Sequence, residues 1–343
     1  MTEFASFQTQ LAASAPRLFE LIDSFKESKV LVVGDLTLDE FLTGEVERIS
    51  REAPVLIIRH ETTRQTPGGG ANAVYNLAKL GAEVKVAGFL SKDPQGQVLR
   101  TMFEEVGIDT SAIVIDPDRP TVTKSRIAGH ARQSVTQQIV RIDRKSDELP
   151  ERDKQLELAA QVQQYLGEVD AVVCSDYGDG VFTPPVIEAV LSHDRTIVDT
   201  QKNLDRYHGA RVFTPNLPEA ERAVGYGIKR FEDLLRAGRD LLALTQGEEI
   251  LITRGEQGMS LFGRDGKVEH IPAFNRTDVF DVTGAGDTVV AALTLSLCLG
   301  ASYWEAAVLG NLAASIVVRQ FGTATTSQDE MKEALQGLLE IEA

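Results

Sequence analysis

Apolar positions along the chain follow two alternating rhythms. Short runs of aliphatic, largely β-branched residues at 30–33, 84–87, 171–174, 196–198, 211–213 and 250–253 predict strands. Between them, apolar residues three and four apart at 71–80, 95–106, 153–166, 185–191 and 231–244 predict helices. This alternation implies an α/β fold, with a mostly parallel central sheet covered by helices on both faces. Ligands of such sheets lie beyond the carboxyl ends of the strands, where Asp35, Asp176, Asp199, Asn216 and Arg254 fall.

Two regions break the rhythm. Residues 41–60 and about 112–142 carry β-type stretches, such as 134–142, and no helix pattern. Both are expected to leave the main sheet and form a small β lid; the plainer alternative is a pair of surface hairpins. Residues 1–28 read as an amphipathic helical extension to a domain spanning 29–343. Phe4, Phe7, Leu11, Leu18, Leu21, Ile22 and Phe25 sit at spaced positions, and Pro16 is expected to divide the helix. No internal repeat or low-complexity linker is present.

The chemistry concentrates in Asp281-Val282-Thr283-Gly284-Ala285-Gly286-Asp287, a glycine turn that opens into the apolar run 289–299. Small residues let backbone N–H groups crowd toward an anion, the helix start adds partial positive charge, and Asp287 stands beside them as a base. That combination suits phosphoryl transfer to a hydroxyl, with Gly284, Ala285 and Gly286 forming an anion hole. A tight loop with a helix-capping aspartate is the alternative. A second cluster, Pro67-Gly68-Gly69-Gly70-Ala71-Asn72, brings backbone close to a polyhydroxylated ligand. It fails as a dinucleotide fingerprint because residues 62–66 do not read as a strand. Gly258 to Gly263 fails as a P-loop because Arg264-Asp265 follows where lysine and serine or threonine are needed.

Composition narrows the class further. With 343 residues, 43% of them hydrophobic, the chain can bury a large core. A balance of 35 basic and 51 acidic residues, net −16, disfavours a nucleic-acid surface and requires a locally positive pocket for any anionic substrate. Cys174 and Cys298 form no ligand pair and fit a reducing cytoplasm. No signal peptide or membrane span is expected, as residues 289–299 are too few to cross a bilayer. The five histidines show neither metal-ligand spacing nor a Ser-His-Asp order.

Several motifs occur in the order of the ribokinase-like PfkB carbohydrate kinases. They are Gly34-Asp35 with Asp39, Gly68-Gly69 with Asn72, Thr214-Pro215-Asn216-Leu217-Pro218-Glu219, Thr253-Arg254-Gly255-Glu256-Gln257-Gly258, and Asp281 to Asp287. The resemblance covers about residues 29–340. Ile49-Ser50-Arg51-Glu52-Ala53-Pro54-Val55, the stretch 121–143 and Ser175-Asp176-Tyr177-Gly178 look like the branch that phosphorylates D-glycero-β-D-manno-heptose 7-phosphate on its anomeric hydroxyl, on the way to ADP-heptose. The resemblance implies a three-layer α/β/α sandwich with a β lid and ATP-dependent transfer of the γ-phosphoryl group. It also implies a cytoplasmic homodimer joined through the lid.

Carried over by position, the resemblance makes Asp287 the base and Gly284, Ala285 and Gly286 the anion hole. It places Asn216 and Glu219 by the ATP phosphates and Mg²⁺, although their spacing is equally that of a helix-capping box. Thr253, Arg254, Gly255 and Gly258 would line the nucleotide side, Asn311, Ala314 and Gly322 the adenine or ribose surface, and Asp281 a K⁺ site. Asp39, Gly68, Gly69, Asn72 and Asp176 would hold sugar hydroxyls, and Lys124, Arg126, Arg141 and Lys202 the distal phosphate. Asp179 stands where the branch is expected to carry lysine, and Gln201-Lys202-Asn203 where it carries Pro-Lys-Gly. No nucleotidyltransferase segment follows residue 343, so adenylylation is expected from another chain. A neutral-sugar or nucleoside kinase of the same family, and a non-catalytic sugar or nucleotide sensor, remain the alternatives.

Overall fold

The computed structural model describes residues 3–131, 135–275, 279–320 and 322–340. Its strands are β1 (Lys29–Gly34), β2 (Leu36–Ile49), β3 (Leu56–Gly69), β4 (Glu83–Leu90), β5 (Asp109–Ile115), β6 (Val122–His130), β7 (Gln137–Arg144), β8 (Ala171–Asp176), β9 (Thr196–Thr200), β10 (Val212–Phe213), β11 (Glu249–Thr253), β12 (Met259–Gly263) and β13 (Val268–Ile271). The helices are α1 (Glu3–Ser24), α2 (Gly70–Lys79), α3 (Pro94–Glu105), α4 (Arg152–Tyr165), α5 (Pro184–Leu191), α6 (Leu217–Val224), α7 (Phe231–Thr245), α8 (Ala285–Cys298), α9 (Tyr303–Val317) and α10 (Gln328–Glu340).

Among the described residues the main sheet has nine strands, ordered β13-β12-β11-β10-β9-β8-β1-β4-β5. β1 shows why the structure has three layers. Val30 and Val32 face the core built by α1, α2, α8 and α9, while Leu31 and Val33 face the core built by α4, α5 and α7. Among its described strands only β12 runs against the rest, and β11, β12 and β13 form an antiparallel meander along one edge. The sequence reading lacked this meander because no helix pattern separates its strands. No described helix is long and apolar enough to cross a membrane.

The small sheet is four-stranded, in the order β3-β2-β6-β7. Its strands begin and end differently from the expected segments. Residues 112–115 belong to β5 and pair with β4 in the main sheet, because the alternating burial of Asp109–Ile115 suits a sheet edge covered on one face. Part of the predicted stretch 134–142 lies outside the described residues; Gln137–Arg144 forms β7.

Pro16 does not divide the first helix, which runs unbroken from Glu3 to Ser24. Leu11, Leu18, Leu21 and Ile22, on both sides of the proline, are fully or almost fully buried. At roughly 1.5–3 kcal/mol each, their burial outweighs the ~3 kcal/mol cost of an interior proline. The helix is thereby packed into the same core as β1.

Candidate active site

The site is built where α8 begins. Gly284 has a φ of 79°, a left-handed conformation glycine enters without steric cost. A Cβ there would also lie 2.5 Å from Asn72 Nδ2. Asp287, 4% exposed, sits in the first turn of α8, where the helix dipole favours negative charge. Its oxygens are held separately: Asn72 Nδ2 donates to Oδ2 at 2.7 Å and the Tyr177 hydroxyl donates to Oδ1 at 3.1 Å. Burial pushes the carboxyl up to about 6, opposed by these two bonds, with nearby Asp39 raising it further and Lys124 lowering it.

A relay of side chains orients Asn72. Thr288 Oγ1 donates to Asn76 Oδ1 at 2.8 Å, and Asn76 Nδ2 donates to Asn72 Oδ1 at 3.2 Å and to its carbonyl at 2.9 Å. Asn72 therefore presents its amide nitrogen, not its oxygen, to Asp287. On the other side, Asp35 accepts from the main-chain N–H groups of Tyr177, Asp179 and Val181 at 2.8, 3.1 and 3.1 Å. Burial, then Asp176, push Asp35 up to about 6. Asn76, Thr288 and Tyr177 were not singled out from the sequence as site residues. The one local signal was the pair Asn72 and Asn76, four apart on a helix and so on one face.

A cleft of about 170 Å³ opens beside Asp287, lined by Asp176, Tyr177, Asp199, Gln201, Thr214, Asn216, Glu219, Thr253, Gly284 and Gly286. It lies at the carboxyl ends of β8, β9, β10 and β11, as a parallel sheet dictates. Asn216 and Glu219 form a reciprocal capping box on α6, at 3.0 and 2.9 Å, and line the cleft as well. Burial raises Glu219. Asp199 is pushed well above its usual range by burial and then by Asp287 and Glu219. Of the amides expected to form an anion hole, that of Ala285 donates to the Val282 carbonyl at 3.2 Å. Those of Gly284 and Gly286 have no acceptor among the described residues.

Asp39, on β2, is buried and paired with Arg126 Nη1 at 2.7 Å. A side chain at Gly68 would collide with the Asp39 carboxylate, and Gly69 turns β3 into α2 at a φ of 54°. Lys124 lies 5.4 Å over the Tyr177 ring. Arg141 is exposed and holds Asp143 through two bonds, at 2.8 and 2.9 Å, and Lys202 is exposed beyond β9. Asp176 accepts from Gly178 N, Thr200 Oγ1 and Tyr207 Oη at 2.9, 3.1 and 2.7 Å, so its oxygens shape the loop. Asp179 is paired with Lys145 at 3.1 Å, which neutralises its charge.

Of the nucleotide-side residues expected after β11, Thr253 alone lines the cleft. Arg254 bonds to Gln257, and Gly255 and Gly258, at φ 56° and 81°, shape the following turn. Asn311 donates to the Pro272 carbonyl at 2.7 Å, and Ala314 is buried on α9. Asp281 accepts from Thr283 N and Oγ1 and from Gly322 N, at 2.9, 2.7 and 2.9 Å. Although its burial pulls upward, those bonds hold the Asp281 carboxyl below the usual range.

A three-layer sandwich with a buried aspartate at a helix start, over a cleft at the strand ends and beside a small β sheet, defines a ribokinase-like phosphotransferase. The chain belongs to the pfkB family of carbohydrate kinases, whose model matches residues 27–330, and is an ATP-dependent sugar kinase. It is 42% identical over 322 residues to the bifunctional protein HldE of Desulfatibacillum aliphaticivorans, covering 92% of this chain and 64% of the relative. It is 41% identical over 312 residues to the HldE of Geobacter metallireducens, covering 89% and 62%. The chain thus spans a little under two thirds of these relatives. Phosphofructokinase-2 from Escherichia coli in complex with potassium shares the fold at a TM-score of 0.74 and 19% identity, covering 91% of this chain and 99% of that one. Ribokinase from Arabidopsis thaliana complexed with ribose and ATP does so at 0.69 and 21%, with the same coverage.

Proposed function

We propose that the protein transfers the γ-phosphoryl group of ATP to the anomeric hydroxyl of D-glycero-D-manno-heptose 7-phosphate. The observation that carries the reading is Asp287, buried at the amino end of α8 with both oxygens fixed. Asp287 takes the hydroxyl proton, the sugar oxygen bonds to the γ-phosphorus, and the bridging P–O bond breaks with its electron pair leaving on ADP. The Gly284 and Gly286 amides face the charge spreading over the migrating group. Asp39 and the second N–H of Asn72 serve sugar hydroxyls, with Lys124 and Arg126 nearby for the distal phosphate. Likeness to the HldE proteins supports the heptose assignment. An assay panel tests it: heptose 7-phosphate should yield a 1,7-bisphosphate, whereas turnover of unphosphorylated sugars alone would overturn the assignment.

The hard oxygens of Glu219 and Asn216 fit Mg²⁺. No cluster of three His, Cys, Asp or Glu that could hold a metal occurs among the described residues. Bound at Glu219 and Asn216, Mg²⁺ would neutralise phosphate charge. K⁺ beside Asp281 would share a carboxylate already engaged by Thr283 and Gly322.

The base works only when ionised, so its activity is lost as pH falls through its folded pKa. With Asp287 raised from 3.8 to about 6, the acid limb of kcat/KM should lie near pH 6. Sugar phosphates titrate in the same range. A carboxyl ¹³C titration of Asp287 in the free protein isolates the base, and a midpoint near 4 would contradict this.

A homodimer joined through the small sheet completes the proposal. All eight residues of β7 are exposed, including Ile139, Val140 and Ile142, the kind of apolar edge that association covers. Light scattering should give twice the chain mass; a monomer at working concentration would exclude it. The free thiols of Cys174 and Cys298 support a cytoplasmic location.

A further inference from the structure

We propose that Tyr177 is a positioning residue for the base, its hydroxyl donating to Asp287 Oδ1 so that the carboxylate stays ready to receive the substrate proton. The inference rests on Asp287 being the base. Three contacts fix the tyrosine for this task. Its hydroxyl lies 3.1 Å from Oδ1, the oxygen left over once Asn72 has taken Oδ2. Its main-chain N–H donates to the buried Asp35 at 2.8 Å, which ties the backbone of residue 177 to the end of β1. Its ring lies under Lys124, 5.4 Å away, so the small sheet covers one face.

The direction of the hydrogen bond follows from the surroundings. Burial raises the phenol well above its normal range, and Asp287, Asp199 and Glu219 raise it further. The phenol therefore remains protonated and donates. The charged groups around the pair are Asp39 and Lys124 from the small sheet, Asp199 from β9 and Glu219 from α6. Among these only Lys124 favours the ionised base, so the neutral donors Asn72 and Tyr177 must offset much of the cost of burial. Asn72 is locked by its relay through Asn76 and Thr288. Tyr177 lines the cleft together with Asp287.

Tyr177→Phe removes the hydroxyl and keeps the ring. In that variant the acid limb of kcat/KM and the Asp287 carboxyl titration should both move to higher pH, by about one to two units for the loss of a bond to a charged group. Site-specific 3-fluorotyrosine at 177 is a stronger donor and should move both to lower pH. It also carries the test if the phenylalanine variant does not fold. A purely structural tyrosine would lower kcat at every pH and leave the limb in place, and an unmoved limb overturns the proposal. The base reading fails separately: wild-type turnover in Asp287→Asn removes it, whereas an inactive Asp287→Asn with unmoved tyrosine variants removes only the role of Tyr177.

Discussion

Asp287→Asn should lower kcat by about two to four orders of magnitude, with the affinity for an ATP analogue changed only a few-fold. The asparagine oxygen can accept from Asn72, and its amide can donate to the Tyr177 oxygen, so both contacts of the wild-type side chain keep a partner. The lost property is proton affinity. Single-turnover kinetics beside calorimetric nucleotide binding checks this. Turnover near the wild-type rate would remove Asp287 as the base, and a parallel collapse in nucleotide affinity would show that it holds the cleft together.

Gly284→Ala should cost stability and chemistry together. A residue with a Cβ at φ 79° is strained by about 1–3 kcal/mol, and its Cβ would press on Asn72 Nδ2, the donor that holds Asp287. Urea unfolding should show a loss of that size, and kcat should fall at least about tenfold, the equivalent of 1.4 kcal/mol in the transition state. Gly286→Ala is the informative comparison. Position 286 is helical and a Cβ there meets nothing within 4 Å, so the fold should tolerate it while the cleft is narrowed. Unchanged unfolding of Gly284→Ala would mean that the turn rearranges at little cost.

The central sheet was legible because its strands are short apolar runs between helical patterns, and the glycine turn was legible because its chemistry is contiguous. What escaped was set by distance along the chain. Tyr177 and Asp287 are separated by 110 residues, Asn72 and Asp287 by 215, and Asn76 and Thr288 by 212, so no local window records the network around the base. Pro16 misled because local propensity was weighed without the burial on either side of it. For Asn216 and Glu219 the capping box that their spacing allows is present, and the same pair lines the cleft. The partner of Asp179, Lys145, lies 34 residues away in the sequence and was likewise invisible locally.

The junction between β3 and α2 has a mechanical consequence. One uninterrupted stretch of chain leaves the small sheet at Gly69, turns there, and within three residues reaches the Asn72 amide that donates to Asp287. Any reorientation of the small sheet at this junction would be passed to Asn72 and so to its bond with Asp287. If the small sheet takes the sugar as proposed, its capture and the orientation of Asp287 share this one connection.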